Sequence, residues 1–182
     1  MREDGRVSST LPPAPDPLTA VLLDIERHAA ASGWDQPWRV FALVDTAALL
    51  AHEPALAETL GPDTTAPWTP VEQDQLPDAV TLEELLHQLA WPDTVVGAAL
   101  VVERVMLPAE VEGELPEDQV EILRAIAEHP QRQEMRLAVA VLRDGARACA
   151  LRFRSHDDEQ SVLSGDSLAP RLTDALSATF DD

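Results

Sequence analysis

A chain of 182 residues, 45% of them hydrophobic, is long enough to bury a core without cross-links, and its net charge of -20 argues against direct binding to nucleic-acid phosphates or anionic lipid head groups. Its single cysteine, Cys149, excludes an intramolecular disulfide, and no stretch approaches the roughly 18 uncharged apolar residues of a membrane span. No apolar run near Met1 could serve as a signal peptide, so the expected location is the cytoplasm.

Residues 1–15 are polar and proline-rich and read as a disordered tail, which leaves residues 16–182 as a single α+β domain. Asp16 followed by Pro17 has the form of an N-cap with proline at the first helical position. Leu18, Val21, Leu22, Ile25 and Ala29 then recur at helical spacing until Ser32-Gly33. From Trp38 to Val44 both alternating faces are apolar, the pattern of a strand covered on both sides. Asp45 or Thr46 can cap a short helix through Leu49, Leu50 and Ala51, and another turn or two fits between Pro54 and Leu60 before Gly61. Residues 61–80 form a long connection with Pro62, Pro67, Pro70 and Pro77 around Trp68, in which Thr69-Pro70-Val71-Glu72 has the form of a capping box.

Thr81 and Glu84 make a second capping box, ahead of Leu82, Leu85, Leu86 and Leu89, and predict a helix that ends at Trp91-Pro92. The apolar, β-branched run from Val95 to Val102 predicts a second buried strand, extending towards Leu107. A helix follows from Pro116 through Val120, Leu123 and Ile126 to His129-Pro130, and a last one runs from about Leu168 to Phe180.

Between residues 134 and 154, Asp144-Gly145 separates two alternating runs and signals a β-hairpin. For Met135, Leu137, Val139 and Val141 to share a face with Cys149, Leu151 and Phe153, the loop must hold an odd number of residues; Arg143-Asp144-Gly145, with Gly145 left-handed, satisfies this. The opposite face is then Ala138, Ala140, Ala148 and Ala150, with Arg136, Arg152 and Arg154 towards one end. Alanine facing alanine invites close approach by a helix or by another chain. The fold class expected is α+β, with a mixed or antiparallel sheet of about four strands that includes this hairpin, packed with four or more helices.

All thirteen basic residues are arginine; none lies between Arg39 and Arg104, whereas Arg132, Arg136, Arg143, Arg147, Arg152 and Arg154 crowd the hairpin. Two readings fit. The arginines pair internally with acidic helices such as Glu110–Glu121, or they form an anion or partner site on the alanine face. Arg136, Arg152, Arg154 and the loop tryptophan Trp68 are the candidate binding residues. Trp34, Trp38 and Trp91 flank strands and are expected in the core.

Catalytic signatures are weak. No glycine-rich phosphate loop, GxSxG elbow or HExxH pair occurs, and His28, His52, His87, His129 and His156 are scattered. Ser155-His156-Asp157-Asp158-Glu159 lacks the alternation of a calcium loop and reads as a solvated acidic turn. Ser164-Gly165-Asp166-Ser167 reads as the capping segment of the final helix, and Cys149 as inert packing in mid-strand. No catalytic residue, metal site or cofactor is implied.

The segments Gly33-Trp34-Asp35-Gln36-Pro37, Phe41–Thr46, Trp91-Pro92-Asp93, Leu100–Arg104, His129-Pro130, Val141–Gly145 and Cys149–Asp157 together resemble a family of small acidic actinobacterial proteins. That family carries no assigned activity, so the resemblance implies an actinobacterial cytoplasmic origin and transfers no site residue. The order helix, strand, helices, strand, helix, hairpin, helix is also similar to the α+β fold of secretion chaperones and their relatives, which are small, acidic and often dimeric. The function expected is non-enzymatic protein binding or a chaperone-like role, with a protein partner or a second copy of the chain. The alternative is a small enzyme or a domain that holds an anionic ligand with the hairpin arginines.

Overall fold

Apolar residues on both faces of its inner strands require a sheet covered twice, and the computed structural model, which describes residues 13–61 and 65–181, has this arrangement. The expected tail falls outside the described residues over 1–12; Pro13, Ala14 and Pro15 are exposed and outside regular structure. Six strands form one antiparallel sheet: β1 (Arg39–Asp45), β2 (Trp68–Glu72), β3 (Val95–Met106), β4 (Gln133–Leu142), β5 (Arg147–Phe153) and β6 (Leu163–Gly165). Their spatial order is β2-β1-β3-β4-β5-β6. Among the described residues there are seven α-helices: α1 (Pro17–Ala30), α2 (Thr46–His52), α3 (Leu56–Leu60), α4 (Leu82–Gln88), α5 (Ala109–Glu112), α6 (Gln119–Glu128) and α7 (Pro170–Ser177).

The expectation of about four strands is thereby corrected to six, and both additional strands are edges. β2 runs through the proline-rich connection. Pro70 lies opposite Leu43, and a residue without an N–H is tolerated at an edge. The capping-box form at Thr69–Glu72 is therefore not a helix start; the Thr69 hydroxyl instead meets that of Thr46 at 2.8 Å. β6 is only three residues long, and Ser164-Gly165 belongs to it rather than to the cap of α7. Two helix boundaries also shift. α4 stops at Gln88 because Leu89 is already extended, and α6 begins after Asp118, whose carboxylate accepts from Val120 N–H and Glu121 N–H.

The hairpin has the expected register, with Met135, Leu137 and Val139 opposite Phe153, Leu151 and Cys149. Leu142 N–H donates to Ala146 O at 2.9 Å and Gly145 sits at φ 95°, so the loop is Arg143-Asp144-Gly145. The alanine face receives α1, whose Leu18, Val21, Leu22, Ile25 and Ala29 pack on Ala138, Ala140, Ala148 and Ala150 together with Phe41, Leu43 and Val101. The other face, carrying Val40, Leu100, Val102, Val139, Val141 and Cys149, is covered by α4 and α7. Trp34, Trp38 and Trp91 are half-buried at the margins of these layers rather than inside them.

Edge strand β2 is tied to β1 by Arg39, which donates to both carboxylate oxygens of Glu72 at 2.6 and 2.8 Å. These hydrogen bonds hold the Glu72 carboxyl below its ordinary value of 4.5, against the opposing effect of burial. A depressed folded-state value means that the stabilisation is complete above pH 4.5 and is lost as pH falls through the folded-state value. Urea unfolding midpoints measured from pH 6 to pH 3 should therefore fall more steeply for the wild type than for Glu72→Gln; equal slopes would contradict this role.

Candidate functional site: an apolar groove beside a buried arginine network

Small side chains at Ala138, Ala140, Ala148 and Ala150 let α1 lie close to the sheet, which brings Glu26 against the far end of the hairpin. There Arg136 and Arg152 are directly opposed across β4 and β5, a repulsive pairing unless an anion lies between them. Glu26 is that anion. It accepts from Arg152 Nε at 2.6 Å and Nη2 at 2.8 Å, and its Oε1 is 3.8 Å from Arg136 Nη1. All three side chains are almost fully buried. Arg136 also donates to the carbonyl of Gly33 at 2.5 Å and lies 3.5 Å from Glu103, while its Nη1 has no hydrogen-bond partner and its guanidinium sits 4.3 Å above the Trp34 ring.

Trp34 is held by a turn containing two left-handed residues, Gly33 at φ 80° and Asp35 at φ 62°. Glu103 secures that turn by accepting from the Asp35 N–H at 2.8 Å. The indole N–H of Trp34 donates to Asp157 at 2.9 Å, and Asp157 also accepts from Arg152 at 3.1 Å. The indole bond is the main reason that the Asp157 carboxyl is held below its ordinary value, with Arg152 adding to it. Arg154 also lies over the Trp34 ring, 5.6 Å from its centre, and pairs with Glu134 at 2.8 Å and Asp35 at 3.2 Å.

The structure thus brings Arg136, Arg152 and Arg154 together around Trp34, each facing carboxylates of the chain itself. Those carboxylates are Glu26, Glu103, Asp157, Asp35 and Glu134, not the acidic stretch 110–121. Arg154 borders a cavity of about 360 Å³ that also contains Arg132, Ser155 and Glu134. Trp68 lies apart, on edge strand β2, half-buried against the α1 core and beside a cavity of about 120 Å³.

The opposite face of the sheet carries a different feature. α7 is pinned at its middle by Arg147, which bonds Asp174 and the Thr173 hydroxyl. Beyond its C-terminal end, Thr179 accepts from the Trp91 indole and Phe180 stacks on the same ring. α4 is fixed by its complete capping box, Thr81 with Glu84. Between these two helices a groove remains open. One end is a cavity of about 540 Å³ lined by Leu82, Leu86, Leu137, Leu168, Leu172 and Ala175, with Glu83, Arg104 and Arg171. The other end, about 610 Å³, shares Glu83, Leu86 and Ala175 and adds His87, Leu89 and Asp181.

Among the described residues, Arg104 and Arg171 make no ion pair, unlike Arg136, Arg147, Arg152 and Arg154; Arg124, Arg132 and Arg143 make none either, but do not line this groove. The groove is therefore apolar along its floor and cationic at one end. Its residues come from α4, β3, β4 and α7, and the leucines of α4 read in sequence only as a core stripe. The available signal was Arg104, the first basic residue after Arg39. Among the described residues no cluster of histidine, cysteine or carboxylate side chains could hold a metal ion, and no helix is long and apolar enough to cross a membrane.

A family model, that of the PPA1309-like protein, matches residues 18–181. No curated protein matches the chain, and no solved structure does. The match runs from the first turn of α1 to beyond α7 and includes the arginine network and both walls of the groove, so the chain belongs to the PPA1309-like protein family, an uncharacterised family.

Proposed function

We propose that this chain is a non-enzymatic protein-binding protein, chaperone-like in mode, which receives an amphipathic, acidic segment of a protein partner in the groove between α4 and α7. The observation that carries this reading is the pair Arg104 and Arg171, without ion pairs among the described residues, beside an open apolar floor in a chain of net charge -20. A laid-in helix uses such a groove by placing apolar positions at three- and four-residue spacing on the floor. Its flanking carboxylates then meet the arginines, which set orientation and encounter rate more than affinity. On this reading Arg136 and Arg152 hold the fold, and the binding role moves from the hairpin to the helical face.

Panning a displayed library of helical peptides against the folded protein tests this. Enriched peptides should carry leucine-like residues at helical spacing with aspartate or glutamate beside them. Leu168→Glu and Arg171→Glu, both at exposed positions, should each weaken their binding by about tenfold or more while leaving thermal unfolding unchanged. Peptides that bind these variants as well as the wild type would refute the reading.

A further inference from the structure

The two walls of the groove run the same way. On α4 the lining passes from Leu82 at the arginine end to Leu89 at the other, and on the α7 segment from Leu168 to Asp181, while Glu83, Leu86 and Ala175 border both cavities. Charge is divided along that direction. Arg104 and Arg171 border only the cavity where both helices begin, and the far cavity has Asp181 and His87 with no arginine. Arg171 stands in the first turn of α7, which has no side-chain cap and no acidic residue, so its charge adds to the positive pole of the helix dipole instead of being offset. With seven residues in α4 and eight in α7, the walls are about 10–12 Å long at 1.5 Å per residue, the length of two helical turns.

We infer that the groove accepts its partner helix in one direction, antiparallel to α4 and α7, with the partner's carboxylates in its last turn. The inference rests on the reading of the groove as a protein-docking surface and specifies what docks there: a two-turn segment with apolar anchors at i, i+3 or i+4, and i+7, followed by aspartate or glutamate. In that direction the partner's C-terminal carbonyls and carboxylates meet Arg104 and Arg171, and its first-turn N–H groups meet Asp181. The reverse direction sets N–H groups against the arginines and carbonyls against Asp181, so like poles face each other at both ends. Carboxylates in a last turn oppose the dipole of their own helix, which makes such a segment a poor helix in water and leaves the groove to order it.

Two synthetic peptides of about 14 residues, acetylated and amidated to remove their terminal charges, test this against the full chain. Both carry leucine at i, i+4 and i+7 among alanine and glutamine, one with two glutamates after the last leucine and the other with the same two before the first. The peptide with C-terminal glutamates should bind about fivefold tighter or more, although the other is the better helix in isolation. A nitroxide on its C-terminal end should broaden the amide signals of residues 168–172 more strongly than those of 178–181, and a nitroxide on its N-terminal end should do the opposite. Equal affinities, a preference for the other peptide, the reversed broadening, or no binding by either overturns the inference. Where Leu168→Glu still weakens the binding of either peptide, or of the panned ones, the groove reading stands and only the direction is wrong.

Discussion

Glu26→Ala is expected to cost about 3–5 kcal/mol of folding stability, because it strands Arg152 and Arg136 in the core without their shared carboxylate. The effect follows from desolvation. An arginine sealed from water must be compensated locally, and Arg136 already has one buried Nη1 without a hydrogen-bond partner. The loss belongs to the broken set rather than to an intrinsic preference for ions. Replacing all three together, as Glu26→Leu with Arg136→Met and Arg152→Met, should therefore recover most of it. Urea unfolding of the single and triple variants measures both quantities. A single-variant loss below about 1 kcal/mol, the range of an exposed pair, would mean that water reaches the network.

Leu22→Ala is expected to cost about 2–5 kcal/mol. Leu22 is fully buried on the side of α1 that faces the alanines of β4 and β5. Short alanine side chains have no length with which to reach into the space that the deletion opens, so only a shift of the whole helix could close it. That shift is opposed by Glu26, one turn further along, which is held by Arg152. Leu22→Met, which keeps the volume, should cost less than about 1.5 kcal/mol in the same unfolding experiment. Equal losses for the two variants would point to helix propensity or backbone change rather than to a cavity.

The alanine face shows how far the sequence could be read. Parity across Asp144-Gly145 was enough to define the hairpin, its three-residue loop and the placing of Arg136, Arg152 and Arg154 towards one end of the alanine face, because a one-residue slip would have reversed every side chain. The same parity called for a close-packed cover, and α1 provides it. What the sequence did not carry was the identity of the arginines' partners. Glu26 is 126 residues from Arg152, and on α1 it reads as an ordinary helical glutamate until the helix is placed. The edge strands escaped for a different reason. β2 contains Pro70 and β6 has three residues, so local propensity argues against both, and pairing with an already formed neighbour decides the outcome.

The groove was illegible for the reason that hid Glu26, carried further. Its floor and walls come from positions between Leu82 and Asp181, and the leucines of α4 and α7 each fit a core stripe of their own helix. Only the docking of α4 and α7 side by side shows that some of these leucines remain at a surface. Arg104 and Arg171 likewise become informative only once the groove they border is in view, since within a crowd of cations those without a carboxylate cannot be told apart by sequence.

The claim that the groove between α4 and α7 is where this protein receives an acidic amphipathic helix is tested most directly by amide hydrogen exchange, with and without a saturating peptide from the panning experiment. Added protection is expected over residues 82–90 and 168–179, with the 133–154 hairpin unchanged. Protection confined to the hairpin, or a complex with no added protection in α4 and α7, would contradict it.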